Sequence, residues 1–218
     1  MVYRTIFDIL MYCFEASVFL YYANAFFEQK YKKSVVLFFS FFAYMFLFAV
    51  YGFGYTLINA IVWPLINALL LLLLYNSKTL TVCFHAFIMA VMMISSEWIV
   101  ISLTSTLFEW DFNAFKDNLY IYILQAVLHK FLYCFLCLII AKSLGKSRNK
   151  SKSMPFFWGM MIMPVASLGM LVVLHAITLT QQLSNGVQIG ASIMSLLLLF
   201  ANLIVFAIYE YGLTTASE

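Results

Sequence analysis

Long apolar runs separated by short polar breaks dominate the chain, and several reach the roughly 20 residues that an α-helix needs to cross a hydrocarbon layer. Their pattern predicts seven helices, over 5–27, 34–51, 56–75, 80–106, 119–143, 155–178 and 187–210. Continuous apolar stretches such as 69–74 contradict the short alternating segments of a membrane β-barrel. The run over 80–106 exceeds a bilayer's thickness and predicts a tilt or a projection beyond it. Two glycines in Tyr51-Gly-Phe-Gly-Tyr55 permit a tight reversal between the second and third helices. Pro64 and Pro164 fall inside predicted helices and predict kinks there.

Composition moves this pattern from water to lipid. Of the 218 residues 65% are hydrophobic and 10% charged, against ~45–50% apolar and ~25% charged in soluble domains. A water-soluble fold would leave much of that apolar surface exposed, whereas lipid accepts it. The fold class predicted is an all-α membrane protein, with one polytopic helical domain over 1–218 and the lipid bilayer as its first partner. Asp8 and Glu15 interrupt the first run and no small-x-small site follows it, so it reads as a retained helix and not a cleaved signal peptide.

Charge then orients the helices. Nine of the twelve Lys and Arg residues fall on one side of a seven-span chain: Lys30, Lys32, Lys33, Lys78, Lys142, Lys146, Arg148, Lys150 and Lys152. Arg4 and Lys116 fall on the other side, and Lys130 lies inside a helix. The positive-inside rule makes the nine-residue side cytoplasmic, with the N-terminus outside and the C-terminus inside. The basic stretch 142–152 also suits anionic lipid headgroups.

Ionisable groups within the apolar runs are costly and mark candidate sites. They are Asp8, Glu15, His85, Glu97, His129, Lys130 and His175. At ~1.5 Å per residue, Glu15 and Lys130 each lie roughly 15 Å below the outer end of their helices, so they predict an ion pair at the midplane. Such a pair serves either to lock two helices or to gate and relay protons. Asp8, Glu97 and His175 group by depth toward the outer leaflet, beneath an acidic and aromatic loop. Glu109, Trp110, Asp111, Phe112 and Phe115 of that loop, with Glu97 and His175, form the candidate ligand-binding set; the alternative is an ordinary interfacial aromatic belt.

Two polar stripes at helical spacing, Tyr122-Gln125-His129-Tyr133 and Asn59-Trp63-Asn67, predict interhelical hydrogen bonds. Methionines crowd the fourth and sixth helices as pliable packing or an adaptable binding surface. Gly186, Gly190, Ala191 and Ser195 form a small-residue stretch that favours close helix approach, within the chain before a dimer seam. Cys134 and Cys137 spell C-x-x-C without a second ligand pair, so all four cysteines read as buried apolar residues and no metal is expected. No Walker loop, H-E-x-x-H or G-x-S-x-G is present. No catalytic residue, cofactor or nucleic-acid partner is therefore expected.

Residues 14–33, the segment Met163-Pro-Val-Ala-Ser-Leu168 and the stretch 201–210 resemble the membrane sensor regions of Agr-type (GHKL-type) quorum-sensing histidine kinases. In that family an apolar helix with an asparagine and a terminal tyrosine–acid pair leads into the cytoplasmic signalling helix, the places taken by Asn202, Tyr209 and Glu210. The resemblance implies a bacterial plasma-membrane receptor, an extracellular peptide pheromone and a homodimer. It also implies a phosphoacceptor helix and ATP-binding domain after residue 210, which the 218 residues do not contain. The chain is then the non-enzymatic sensor portion of a longer kinase, or a stand-alone relative. A different class, the substrate-binding membrane subunit of a vitamin or small-solute transporter, shares this size and hydrophobicity; a purely structural membrane protein is a third reading.

Overall fold

Seven helices carry the described residues of a computed structural model: α1 (Val2–Phe26), α2 (Lys33–Gly52), α3 (Thr56–Leu74), α4 (Thr79–Phe108), α5 (Leu119–Leu144), α6 (Phe157–Thr180) and α7 (Asn185–Thr215). The structure describes residues 2–53, 56–108, 118–145, 157–180 and 185–215, with His175 placed by its backbone alone. Five helices are long and apolar enough to cross a membrane (α1, α2, α4, α5 and α7), and α3 and α6 contribute the shorter apolar stretches Ile58–Leu74 and Gly159–Leu174. Pro64 and Pro164 sit inside α3 and α6. The boundaries fall near the expected ones, with α4 and α7 longer at 30 and 31 residues.

Helix α4 is the axis of the bundle and packs against α3, α5, α6 and α7, while α1 packs against α2 and α5. Its most apolar window is 67% buried, against 22% for α2 and for α5, which identifies α4 as the central helix. Lipid-like polarity explains the rest. Phe38, Phe42 and Phe46, at four-residue steps on α2, are 66%, 66% and 51% exposed, whereas Glu15 and Glu210 are 2% and 4% exposed. Apolar side chains cover the outside and acids lie within, the reverse of a water-soluble protein.

Local chemistry fixes the helix ends. Asn118 begins α5 by accepting from the backbone N–H groups of Tyr120 and Ile121 at 2.9 and 3.3 Å, which satisfies two of the amides left free at a helix start. Gly145 ends it where a Cβ would meet the Ala141 carbonyl and stand 3.0 Å from Ala25 Cβ, so only glycine lets α5 close on α1 there.

One element departs from the all-α expectation. The α1–α2 and α3–α4 connections pair as a two-residue antiparallel ribbon, β1 (Glu28–Gln29) with β2 (Tyr75–Asn76). Asn24 Oδ1 accepts from Gln29 Nε2 at 2.7 Å and from the Tyr75 hydroxyl at 3.2 Å. Burial pushes the Tyr75 phenol up to about 12, which keeps it a neutral donor. Lys30 Nζ reaches the Leu72 carbonyl at 2.6 Å and places a cation at the C-terminal end of α3, where the helix dipole favours it.

Candidate functional site

Helical spacing brings polar groups of four helices, with one apolar residue of a fifth, to one cavity. Tyr12 and Glu15 are three apart on α1, Asn59 and Trp63 four apart on α3, and Met93 and Glu97 four apart on α4, so each pair shares a face. With Lys130 of α5 and Val172 of α6 they line a cavity of about 100 Å³. Glu15 Oε1 pairs with Lys130 Nζ, and Glu15 Oε2 accepts from the Trp63 indole N–H at 3.0 Å. Both carboxylate oxygens are therefore engaged. Lys130 Nζ also lies 3.5 Å from Met93 Sδ, a weak acceptor.

The remaining stripe residues brace this centre. Tyr44 donates to Asn67 Oδ1 at 2.8 Å, and Asn67 Nδ2 donates to the Trp63 backbone carbonyl one turn back in α3 at 2.8 Å. Tyr133 stacks edge-on against Trp63 with centroids 6.2 Å apart. Gln125 reaches Thr104 Oγ1 at 2.9 Å, and a His129 ring nitrogen lies 3.2 Å from the Gln125 carbonyl within α5.

Glu97 belongs with Glu15 and Lys130, not with Asp8, although depth alone groups it with Asp8. Depth counts position along a helix and ignores the face. Asp8 instead accepts from the Tyr122 hydroxyl at 2.5 Å, and the Arg4 guanidinium stands 4.0 Å over the Tyr122 ring. Among the described residues the Glu97 carboxylate has no hydrogen-bond or ion-pair partner. Glu109, Trp110, Asp111, Phe112 and Phe115 lie outside the described residues, as does the side chain of His175.

A second polar centre, absent from the candidate ligand set, ties α7 into the bundle. His85 of α4 is 1% exposed, with Nε2 3.1 Å from Glu210 Oε1 and Nδ1 3.0 Å from the Tyr22 hydroxyl. If Tyr22 donates to Nδ1, the proton sits on Nε2 and donates to Glu210, a tautomer that satisfies all three groups. Phe26, Phe27 and Phe206 enclose the imidazole with centroids 4.9, 4.8 and 5.1 Å away. Beside it the hydroxyls of Thr81 and Tyr209 stand 3.0 Å apart. About two turns back along α7, Asn202 Nδ2 donates to Ser167 Oγ of α6 at 2.7 Å. Asn202, Tyr209 and Glu210 are thus all buried against neighbouring helices.

The small-residue stretch divides. Ala191 and Ser195 are buried, whereas a Cβ at Gly186 or Gly190 would meet nothing within 4 Å among the described residues, so the two glycines do not join the close packing expected within the chain. The four cysteines are free thiols, and no group of three metal-ligating side chains occurs among the described residues. Compared with protein-family models, curated proteins and solved structures, the chain finds no match in any of the three.

Proposed function

We propose that the chain is a multi-pass membrane sensor domain, N-terminus outside and C-terminus cytoplasmic, in which a ligand at the central cavity alters the seating of α7. Support for insertion comes from the apolar exterior and the acids held inside. The observation that carries the sensing role is that the cavity and the His85–Glu210 centre share two helices. Helix α1 brings Glu15 to one and Tyr22 to the other, while α4 brings Glu97 and His85. A displacement of α1 or α4 at the cavity therefore bears on the end of α7. This fits the resemblance to peptide-sensing kinases, in which that end leads to the signalling helix, and the homodimer it implies has an open glycine face on α7 available.

A ligand drives such a shift only if it binds one arrangement better than the other. The test uses protein in lipid nanodiscs with spin labels at Tyr211→Cys and Ser77→Cys in a background lacking the natural cysteines. Peptides and vitamins are screened by thermal shift, and those that stabilise are added to the labelled protein. A change in the label distance supports sensing. Stabilisation with no change, together with solute uptake into vesicles, would favour the transporter-subunit reading, which the same charged cavity also suits.

A further inference from the structure

The cavity contains more acid than base. Glu15, Glu97 and Lys130 all line it, so two carboxylates face one ammonium. Glu15 is fully committed to Lys130 and Trp63, whereas Glu97 meets no described partner. Asn59 Oδ1, a second lining acceptor, is buried and has no hydrogen-bond partner among the described residues, with the Tyr12 hydroxyl beside the same amide. The unspent groups are thus acceptors, and the local charge is negative. Glu97 is half-buried at this cavity, and a positively charged donor there meets both its charge and its hydrogen-bonding capacity. Tyr12 and Trp63 supply aromatic walls, which favour an organic cation. At ~30 Å³ per water-sized atom, a cavity of this volume takes a few non-hydrogen atoms.

We propose that this cavity is a binding subsite for a small organic cation, an ammonium or guanidinium group held by Glu97 and Asn59 between Tyr12 and Trp63. The group is either a free small amine or the end of a lysine or arginine side chain of a larger ligand. The neighbouring Lys130 does not oppose this, because Glu15 neutralises it. The proposal rests on the sensing reading for its role and on the cavity for its chemistry.

Methylguanidinium is titrated into the full chain in nanodiscs at constant ionic strength, with thermal shift and saturation-transfer NMR as readouts. N-methylurea is the neutral isostere, and acetate the anion. Saturable binding at roughly millimolar concentration is expected of methylguanidinium alone, as suits so few atoms. The substitution Glu97→Gln should weaken it by about tenfold or more, since a charged hydrogen-bond partner is lost. Glu97→Asp should weaken it less and still exclude N-methylurea; it carries the test if Glu97→Gln does not elute as folded protein. Equal binding of N-methylurea or acetate, or an unchanged affinity in the tested variant, overturns the subsite. An attached lysine or arginine side chain is distinguished by comparing short peptides that carry either residue with their alanine versions. Cation binding without movement of the α7 labels would support the subsite while removing the sensing role, so the two readings fail separately.

Discussion

Glu15 and Lys130 show what one buried pair asks of its neighbours. Each removes the other's cost, and Trp63 takes the second carboxylate oxygen. Breaking a buried pair from one side leaves a lone charge, at a cost of about 3–5 kcal/mol, whereas removing both charges is far milder. Glu15→Gln and Lys130→Met should each lower the yield and thermal midpoint of purified protein, and the double variant should recover part of the loss. Strictly additive losses would show that the two do not act as a pair. The partnership was legible because both residues lie at one depth in helices that enter from the same side. The His85–Glu210 pair was not legible by the same count, because the predicted seventh helix ends at 210, whereas α7 runs on to Thr215 and leaves Glu210 about 8 Å inside its end. The resemblance, too, points Glu210 toward a cytoplasmic extension and not toward α4. For Glu97 the difficulty was rotational: depth alone does not say which face of α4 meets Lys130.

At the scale of elements, α7 is held along its length by polar contacts that its hydropathy conceals. Asn202 is fixed to Ser167 on α6, Tyr209 stands beside Thr81, and Glu210 is held by His85. Replacing Glu210 with Gln keeps a hydrogen-bonding side chain and removes the charge, so stability should fall by about 1–3 kcal/mol. Replacing His85 with Ala should do at least as much, because it leaves the Glu210 carboxylate buried without its partner. Hydrogen exchange at the C-terminal turns of α7 reads both changes, and unaltered protection in either variant would contradict the latch. The ribbon is held differently. Lys30→Ala should lose its contact with the Leu72 carbonyl and lower the thermal midpoint slightly, by about 0.3–1 kcal/mol. The sequence pattern showed the helices because apolar length is a strong local signal. It did not show the ribbon, since two residues carry no period and the pairs Glu28–Asn76 and Gln29–Tyr75 join positions far apart in the chain.

For the whole molecule, the seven helices and the central place of α4 follow from apolar content. Helix α4 mixes apolar residues with Ser95, Ser96, Ser102 and Thr104 all round and buries nearly every face, as a bundle axis must. Its neighbours keep an exposed apolar stripe. Which helices touch was not legible, because nearly uniform hydrophobicity leaves no contrast from which to read a packing face. Only the rare polar residues break that uniformity, and the two polar centres are built from them. The proposed receptor requires this bundle to span a membrane with the basic connections inside. Cysteine accessibility in intact cells tests it most directly, using Asn113→Cys and Arg148→Cys in a background without the four natural cysteines. Labelling by an impermeant maleimide at position 113, and at 148 only after the membrane is opened, is the expected result. Labelling of position 148 from outside, or release of the protein from membranes by alkaline carbonate, would contradict it.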